Sequence, residues 1–547
     1  MRARAGEALL AAAAAILLTV VMTWPLAPRM ALGGRIDTND GRQSMWTVAW
    51  VARALVDDPH GLFDANIFYP HKNTLAYLEP NIFVGALAVP VYWATKNPYL
   101  TYNFIVLLSF VLAQLGMYAL VRHLFGSRAG AAVAAVAFGF CPYVFSHIPH
   151  SQLLMTAGLP FALLAMHRFV ERRTAGRALT LGLVVAAEAL ACGYYGIFVA
   201  LLLVPGMLYY AGARSLWRET RYWVGAAGAG LLAILLVLPF FLPVIRLQQD
   251  TGFARPLSES RRWSATWRSY LASSAWAHRW WRQWLVNWGE VIYPGTAAAV
   301  LGVAGGWLGW IRLRRETGRD HVVFYLAVAV FAFWASLGPD AGLYALLYRV
   351  LPVFSLLHAP SRFGLLVTMA LCVFAGYAVA RWLRGRPRAP WIAAAIVVLS
   401  LGDLFTAPLF LVDAPPLNPV YSSLAKWPYG PVVEMPFFYL RVDYHRHAEY
   451  MLFSTFHWKP LINGYADYTP PEFRDLSLKL SSFPNAESFT LLKPMRPRYV
   501  VFHWDLYDHR QAVVVKQRIE EYREYLRPIR LEDPVWLFQI VGWPPEH

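Results

Sequence analysis

The stretch Ile36–Pro80, IDTNDGRQSMWTVAWVARALVDDPHGLFDANIFYPHKNTLAYLEP, holds the side chains best suited to chemistry. It carries five aspartates, Asp37, Asp40, Asp57, Asp58 and Asp64, together with Glu79, His60 and His71. A carboxylate such as Asp40 can take a proton from an attacking hydroxyl. A pair of carboxylates can instead hold a divalent cation through hard oxygen ligands. The spacing Asp37-x-x-Asp40 fits both chemistries, and it also fits a solvated loop with capping acids. Other polar groups gather in three short turns: His147, His150 and Gln152 in FSHIPHSQ, Tyr194 and Tyr195 in ACGYYG, and His358, Ser361 and Arg362 in LLHAPSRF. An arginine or histidine there can hold a phosphate. Tyr69, Tyr194 and Tyr195 have the flat faces on which a sugar stacks.

These groups need elements to position them, and composition says which. Of 547 residues, 57% are hydrophobic and only 15% charged. Ordinary globular domains carry about 25% charged residues. The apolar excess lies in long runs of Leu, Ala, Val and Phe, and runs near eighteen uncharged residues mark bilayer spans. The formal charge is +16. Its arginines cluster between apolar runs, which is a membrane topology signal rather than a nucleic-acid footprint. Cys141, Cys192 and Cys372 lie in or beside apolar segments, without metal-ligand or disulfide spacing. They read as small buried apolar residues.

The amino terminus, with Arg2 and Arg4, is expected in the cytoplasm. A first span over about 9–27 puts the acidic loop outside. Met45–Val56 has helical apolar periodicity, with Trp46 and Trp50 four apart on one face. It is expected to lie along the membrane surface with its indoles among headgroups. Ile82–Thr95 is apolar but short and is interrupted by Pro90, so a re-entrant or surface helix is expected. Further spans are expected near 101–120, 129–145, 152–168, 177–191, 196–211, 223–243, 292–311, 321–337, 363–380 and 390–408. That makes eleven, and the intervening Arg172/Arg173, Arg214/Arg218/Arg221, Arg312–Arg319 and Arg381–Arg388 groups then all fall inside. The outer loop Gln248–Glu290 is rich in Trp and Arg and reads as a second surface-lying helix.

Beyond Asp413 the apolar runs shorten and charge rises. Val432–Phe437, Tyr499–Trp504 and Pro534–Val541 read as strands, and Val513–Leu526 as a helix. HWKPLINGYADYTPP, from His457, reads as a shaped loop able to cap a cleft or present an acceptor. The expected fold class is therefore a polytopic α-helical membrane protein of about eleven transmembrane helices with a small extracytoplasmic α/β domain. Residues 1–410 form the bundle, with a first outer loop over 31–98 and a Trp/Arg-rich loop over 247–290. Residues 411–547 form the outer domain.

The layout resembles integral-membrane glycosyltransferases of the GT-C superfamily, in particular bacterial multi-span proteins of that type. The resemblance rests on NDGRQSMWTVAW, LFDANIFYP, LEPNIF, PYLTYNFIVLLSFVLAQLGMYALVRHLFGSRAGA, FGFCPYVFSHIPHSQ, ACGYYG, FSLLHAPSRFGLLVTMAL and MLFSTFHWKPLINGYADYTPPEF. It implies a GT-C-like bundle and transfer of a sugar from a polyprenyl-phosphate donor on the outer face of a bacterial cytoplasmic (inner) membrane. The acceptor is an unspecified glycan, lipid or protein. The implied enzyme is an inverting hexosyl or pentosyl transferase, working by direct displacement at the anomeric carbon. The family's essential Asp in the first outer loop matches Asp40; Asn39 stands where relatives have Gly, which keeps Asp37 in contention. Asp64 or Glu79 is the nearest second acid. Some relatives use a divalent metal and some do not, so Mg or Mn stays open and no metal ligand is assigned. Topology, not the resemblance, gives Arg362 and the His147/His150 turn the donor phosphate. A transporter or flippase of lipid-linked saccharide would show inverted repeats and midplane charges. No repeat is evident, and the acids sit in outer loops. A non-catalytic scaffold of the same fold is the third reading, and Asn39 is the residue that favours it.

Overall fold

The computed structural model describes residues 2–36, 39–285, 290–311, 319–416 and 418–545, without the side chains of 2–4 and 39. The chain forms two compact units. One comprises Met1–Arg29, Asn103–Leu242 and Thr251–Phe410, and the other Met30–Tyr102, Pro243–Asp250 and Leu411–His547.

A bilayer offers no water to backbone groups, so apolar runs of this length must close their hydrogen bonds as helices. Each of the eleven expected spans overlaps a helix, but 129–145 is split between Arg128–Gly139 and Pro142–Ser146, and 152–168 is α-helical only from Gly158. Among the described residues, seven helical stretches are long and apolar enough to cross a membrane: Ala5–Met22, Pro98–Phe125, Arg128–Ser146, Gly193–Ala213, Thr220–Thr251, Arg319–Ser336 and Pro360–Trp382. The chain is thus a multi-pass membrane protein. Thr296–Ile311 and Ala389–Asp403 are shorter apolar helices. Gly158–Glu171 has 14 residues. At 1.5 Å per residue such a helix rises roughly 21 Å, short of a ~30 Å hydrocarbon core.

Within the first unit the helix Gly364–Trp382 is the buried centre. Small residues let its neighbours approach closely. A side chain on Gly302 would stand 2.7 Å from the Leu371 carbonyl, and one on Gly305 would collide with that of Phe374. On another face, a side chain on Gly130 would collide with the Gly376 carbonyl. The arginine-bearing turns meet one another. Glu7 takes Arg122 Nε at 2.7 Å and Arg128 Nε at 2.9 Å. His123 Nε2 lies 3.0 Å from Glu171. Arg173 pairs with Glu219 at 2.8 Å, and Arg214 with Asp320 at 2.7 Å. The amino terminus and the loops expected inside therefore share one end of the bundle, as the arginine pattern requires.

Among the described residues, 252–285 do not form the single surface helix expected of 248–290. They fold as short helical turns, Leu257–Arg262, Ser269–Leu271, Trp276–His278 and Arg279–Arg282. Pro256 and the small residues Ser269, Ser273 and Ser274 break the periodicity, since serines bond locally to nearby backbone. Trp276 Nε1 donates to the Ala407 carbonyl and Trp281 Nε1 to that of Leu271. Trp267, Trp280 and Trp284 remain exposed, as interfacial indoles would be.

The second unit holds a two-residue antiparallel ladder, β1 (Gly33–Gly34) with β2 (Val412–Asp413). It also holds a four-stranded sheet of β3 (Val432–Met435), β4 (Tyr499–His503), β5 (Leu526–Glu532) and β6 (Val535–Ile540), in the order β3-β4-β6-β5. β3 and β4 run parallel and the remaining pairs antiparallel. The β5 strand was not expected. Its buried positions are few and its arginines many, so it lacks the apolar signature that marks β3, β4 and β6. Helices Asn39–Asp57 and Ile82–Thr95 join this unit, and a side chain on Gly85 would collide with Val51.

The loop over residues 61–78 is stitched to the far end of the chain. Leu461 N donates to the Asn66 carbonyl at 2.9 Å, Tyr69 N to that of Leu461 at 2.8 Å and Phe68 N to that of Asn463 at 3.0 Å. The same 460–463 segment runs along β3: Val432 N donates to the Pro460 carbonyl at 2.8 Å and Ile462 N to that of Val432 at 3.0 Å. The expected interfacial tryptophans are therefore corrected. Trp46 and Trp50 are buried, with Trp46 Nε1 on Asn66 Oδ1 at 3.2 Å and Trp50 Nε1 on the Leu62 carbonyl at 2.9 Å. A buried indole N–H needs an acceptor, and the loop supplies one to each.

His447 sits fully buried in this unit. Its Nε2 donates to the Phe438 carbonyl at 3.1 Å and its Nδ1 accepts from Asn463 Nδ2 at 3.2 Å. Both ring nitrogens are satisfied only in the neutral form. Burial, chiefly, pushes its pKa from 6.5 down to about 4. Its contribution to stability is complete above about pH 6.5 and is lost as pH falls toward about 4. The loss by pH 5 is about 2 kcal/mol. Hydrogen exchange around residues 432–463 should therefore accelerate roughly 30-fold more between pH 7 and pH 5 in the wild type than in His447→Gln, after correction for intrinsic rates. Equal acceleration in the two would show that the ring does not carry this dependence.

Candidate functional site

The sequence-predicted site residues fall into both units. In the second unit Asp40 lies in the first turn of helix Asn39–Asp57. The partial positive charge of a helix amino terminus favours an ionised acid there. Its Oδ1 accepts a hydrogen bond from Tyr465 Oη at 2.9 Å. Tyr465 is fixed in turn, since Gln43 Nε2 donates to its carbonyl at 3.1 Å. Beside it, a side chain on Gly464 would stand 2.7 Å from the Phe68 ring. The loop read from sequence as a cap thus holds the carboxylate. Tyr465 was missed by sequence reasoning because nothing local ties it to a residue 425 positions away.

Asp64 is engaged within its own loop: Oδ1 accepts from Asn73 N at 2.9 Å and Oδ2 meets Lys72 Nζ at 3.2 Å. That is a turn-shaping role, in which an Asp side chain satisfies backbone donors. Glu79 is half-buried, next to the left-handed Asn81 that opens helix Ile82–Thr95. Asp37 lies outside the described residues. No three His, Cys, Asp or Glu side chains among the described residues converge as metal ligands.

In the first unit Tyr194, His358 and Arg362 come together. The Arg362 guanidinium carbon stands 4.2 Å from the centre of the Tyr194 ring. The Tyr194 hydroxyl accepts from the backbone N–H of His358 at 2.7 Å and of Ala359 at 3.3 Å. With its lone pairs so used, it donates to His358 Nδ1 at 2.9 Å. Burial, then the charges of Arg362 and Arg255, push His358 down to about 2. Burial, then the neighbouring His150 and Arg362, likewise push His147 down to about 3. His147 Nε2 stands 3.6 Å from Glu290 Oε2. A neutral imidazole at that distance makes no ion pair, and Glu290 itself is shifted upward by burial. The charge able to hold an anion in this group is therefore that of Arg362, not of His147 or His358.

Two donors stand ready there. Among the described residues, Arg362 Nε and Ser361 Oγ are buried and have no hydrogen-bond partner. They are adjacent on the turn Pro360–Phe363, whose backbone is anchored by Ser361 N on the Trp263 carbonyl at 3.1 Å. Leaving a buried donor unpaired costs about 1–3 kcal/mol, more when it is charged. Such donors persist where a ligand supplies the acceptor. His150 lies with its ring centre 6.1 Å from that of His147. Tyr195 is fully buried; its hydroxyl donates to the Leu153 carbonyl at 2.8 Å and meets that of Tyr143 at 3.0 Å. It is a brace with no ring face open for stacking, and Arg362 covers one face of Tyr194. Sequence reasoning missed Glu290, an acid at the end of a loop read for its tryptophans.

No protein-family model and no curated protein matches the chain. Among solved structures, the chain is similar to the oligosaccharyltransferase of Archaeoglobus fulgidus in the apo form: TM-score 0.52 at 15% identity, over 95% of this chain and 73% of that one. It is similar to the same archaeal enzyme, AglB, in complex with an inhibitory peptide and a dolichol-phosphate: TM-score 0.51 at 15% identity, over 95% and 72%. It is also similar to the mycobacterial arabinofuranosyltransferase AftD, with TM-score 0.57 at 16% identity, over 98% of this chain but only 41% of that one. These likenesses run through nearly the whole chain, and with the multi-pass bundle and the small carboxyl-terminal sheet they show that it has the fold of the GT-C membrane glycosyltransferases.

Proposed function

We propose that the protein is a membrane glycosyltransferase that moves a sugar from a polyprenyl-phosphate donor to a hydroxyl acceptor. The likeness to AglB and AftD supports the reaction class. The observation that carries the donor is the pair of unsatisfied buried donors, Arg362 Nε and Ser361 Oγ. An arginine fork with an adjacent hydroxyl suits the oxygens of a phosphate. In the proposed step the acceptor oxygen bonds to the anomeric carbon while the bond from that carbon to the phosphate oxygen breaks. The polyprenyl phosphate leaves with the electron pair, and the acceptor proton passes to Asp40. The displacement inverts the anomeric centre, and Arg362 holds the phosphate as its charge grows. The outer face of a bacterial cytoplasmic membrane is the proposed location, with the arginine-bearing end of the bundle inside.

The test is a transfer assay in membrane vesicles with labelled polyprenyl-phosphate sugars. Label moving from the lipid to a water-soluble or protein fraction is the expected result. Label that stays on the lipid with hexosyl and pentosyl donors alike would overturn the reading. Tyr465 is a positioning residue in this scheme. Tyr465→Phe removes one hydrogen bond to a charged acceptor, worth about 1.5–3 kcal/mol. The turnover rate should fall at least tenfold with the donor KM unchanged. A change in KM alone would assign Tyr465 to binding.

A further inference from the structure

The second unit holds two neighbouring cations that no acid neutralises. Lys459 is only 3% exposed, and Arg498 is half-buried. Lys459 Nζ and the Arg498 guanidinium carbon each lie 6.0 Å from the centre of the Tyr499 ring. Among the described residues neither pairs with an Asp or Glu, and their side chains donate only to carbonyls. Lys459 Nζ reaches that of Trp427 at 2.9 Å, and Arg498 Nη1 that of Tyr429 at 3.4 Å. An ammonium has three N–H donors and a guanidinium five, so one bond apiece leaves most of them unspent. The buried acid on β3, Glu434, is held elsewhere, by His503 at 2.8 Å and Tyr421 at 3.2 Å.

A buried charge is costly unless it is paired. Burial, then the charge of Arg498, pulls the Lys459 ammonium below the usual lysine range. His457 adds a donor beside it. Burial, then the charge of Lys459, pushes His457 down to about 3, so its ring is neutral. Its Nδ1 accepts from Lys459 N at 2.9 Å, which leaves the proton on Nε2. Among the described residues that Nε2 is buried and has no hydrogen-bond partner.

The cluster opens at the exposed turn Trp427–Pro428–Tyr429. Tyr499 Oη fixes the turn by donating to the Pro428 carbonyl at 2.8 Å, and Arg498 N donates to that of Pro431 at 2.8 Å. A side chain on Gly430 would stand 2.8 Å from Arg498 Cβ, so the turn lies close against the arginine stem. Tyr429 is 72% exposed and Trp427 38%. Two kinds of contact thus meet: charge-assisted donors for an oxyanion, and flat apolar faces for a sugar ring. A free phosphate would use only the first, and a neutral sugar only the second.

We propose that this cluster binds an acidic saccharide, its carboxylate on Lys459 and Arg498 and its ring against the Trp427–Tyr429 turn. The binding needs no transfer step, so it stands or falls apart from the glycosyltransferase reading.

The test is isothermal titration calorimetry of the full chain in a non-ionic detergent. The probes are trigalacturonate, the neutral galactotriose and inorganic phosphate. Wild type should bind trigalacturonate roughly tenfold or more tighter than either of the others. Lys459→Met and Arg498→Gln each remove charge-assisted bonds, and each should weaken trigalacturonate roughly tenfold. The double variant W427A/Y429A keeps the turn's carbonyls and removes its rings. It should weaken trigalacturonate about fivefold and leave inorganic phosphate unchanged. Melting temperatures report folding. If Lys459→Met does not fold, Arg498→Gln decides, since a lysine that only clamps the turn would leave that variant's affinity at the wild-type value. No binding of trigalacturonate, equal affinity for galactotriose or for inorganic phosphate, or unchanged affinity in folded Arg498→Gln would each overturn the proposal.

Discussion

Asp40→Asn is expected to lower sugar transfer roughly 10²–10⁴-fold, the usual worth of a positioned general base. The amide keeps the shape and the bond from Tyr465 Oη, observed at 2.9 Å, but cannot accept the acceptor's proton. The fold should therefore survive, and an unchanged melting temperature would establish that the loss is chemical. Asp37→Asn is the matched control, two residues before the start of the helix. Loss in the Asp40 variant alone assigns the base. Loss in the Asp37 variant alone would move the role to that residue. Full activity in both would remove the acidic loop from the mechanism.

Arg362→Lys is the second large expectation. Lysine keeps the charge and loses the planar fork. It cannot present the Nε–H that stands buried without a partner, nor place a guanidinium over the Tyr194 ring, where the Arg362 carbon stands 4.2 Å from the centre. Loss of one or two charge-assisted bonds of about 1.5–3 kcal/mol should raise the donor KM roughly 10–100-fold. Arg362→Ala should do more, because Glu290 then loses the opposite charge that partly offsets its burial. If lysine restores wild-type KM, the arginine acts as a point charge and the phosphate reading loses its geometric basis. His358→Gln should change KM far less, since its ring is neutral at working pH and acts through the Tyr194 hydroxyl.

Much of the frame could be read from residue order. Apolar runs located the bundle helices, and the arginine groups located one end of it, because bilayer thickness and charge asymmetry act on local sequence. Strands β3, β4 and β6 announced themselves by continuous buried runs such as Tyr499–His503. The lost information was non-local. Trp46 and Trp50 share a helix face, as their spacing said, but that face is covered by Asn66 and Leu62 rather than by lipid. Periodicity tells which side of a helix is apolar and not what lies against it. Tyr465 and Glu290 were invisible for the same reason, since each acquires meaning only through a residue far away in the chain. Burial also made His147 and His358 neutral, and no local pattern encodes desolvation.

The stitch between Asn66 and the Lys459 carbonyl joins residues 393 positions apart. A ribosome adding ~5–20 residues per second needs roughly 20–80 s to make that interval. During that time the Asn66 side-chain amide and the backbone of residues 66–69 lack their partners at 459–463. The acidic loop must therefore wait, half-built and open to proteases or to a holding chaperone, until the last quarter of the polypeptide arrives. Truncation before residue 460 should leave it digestible however well the helices insert.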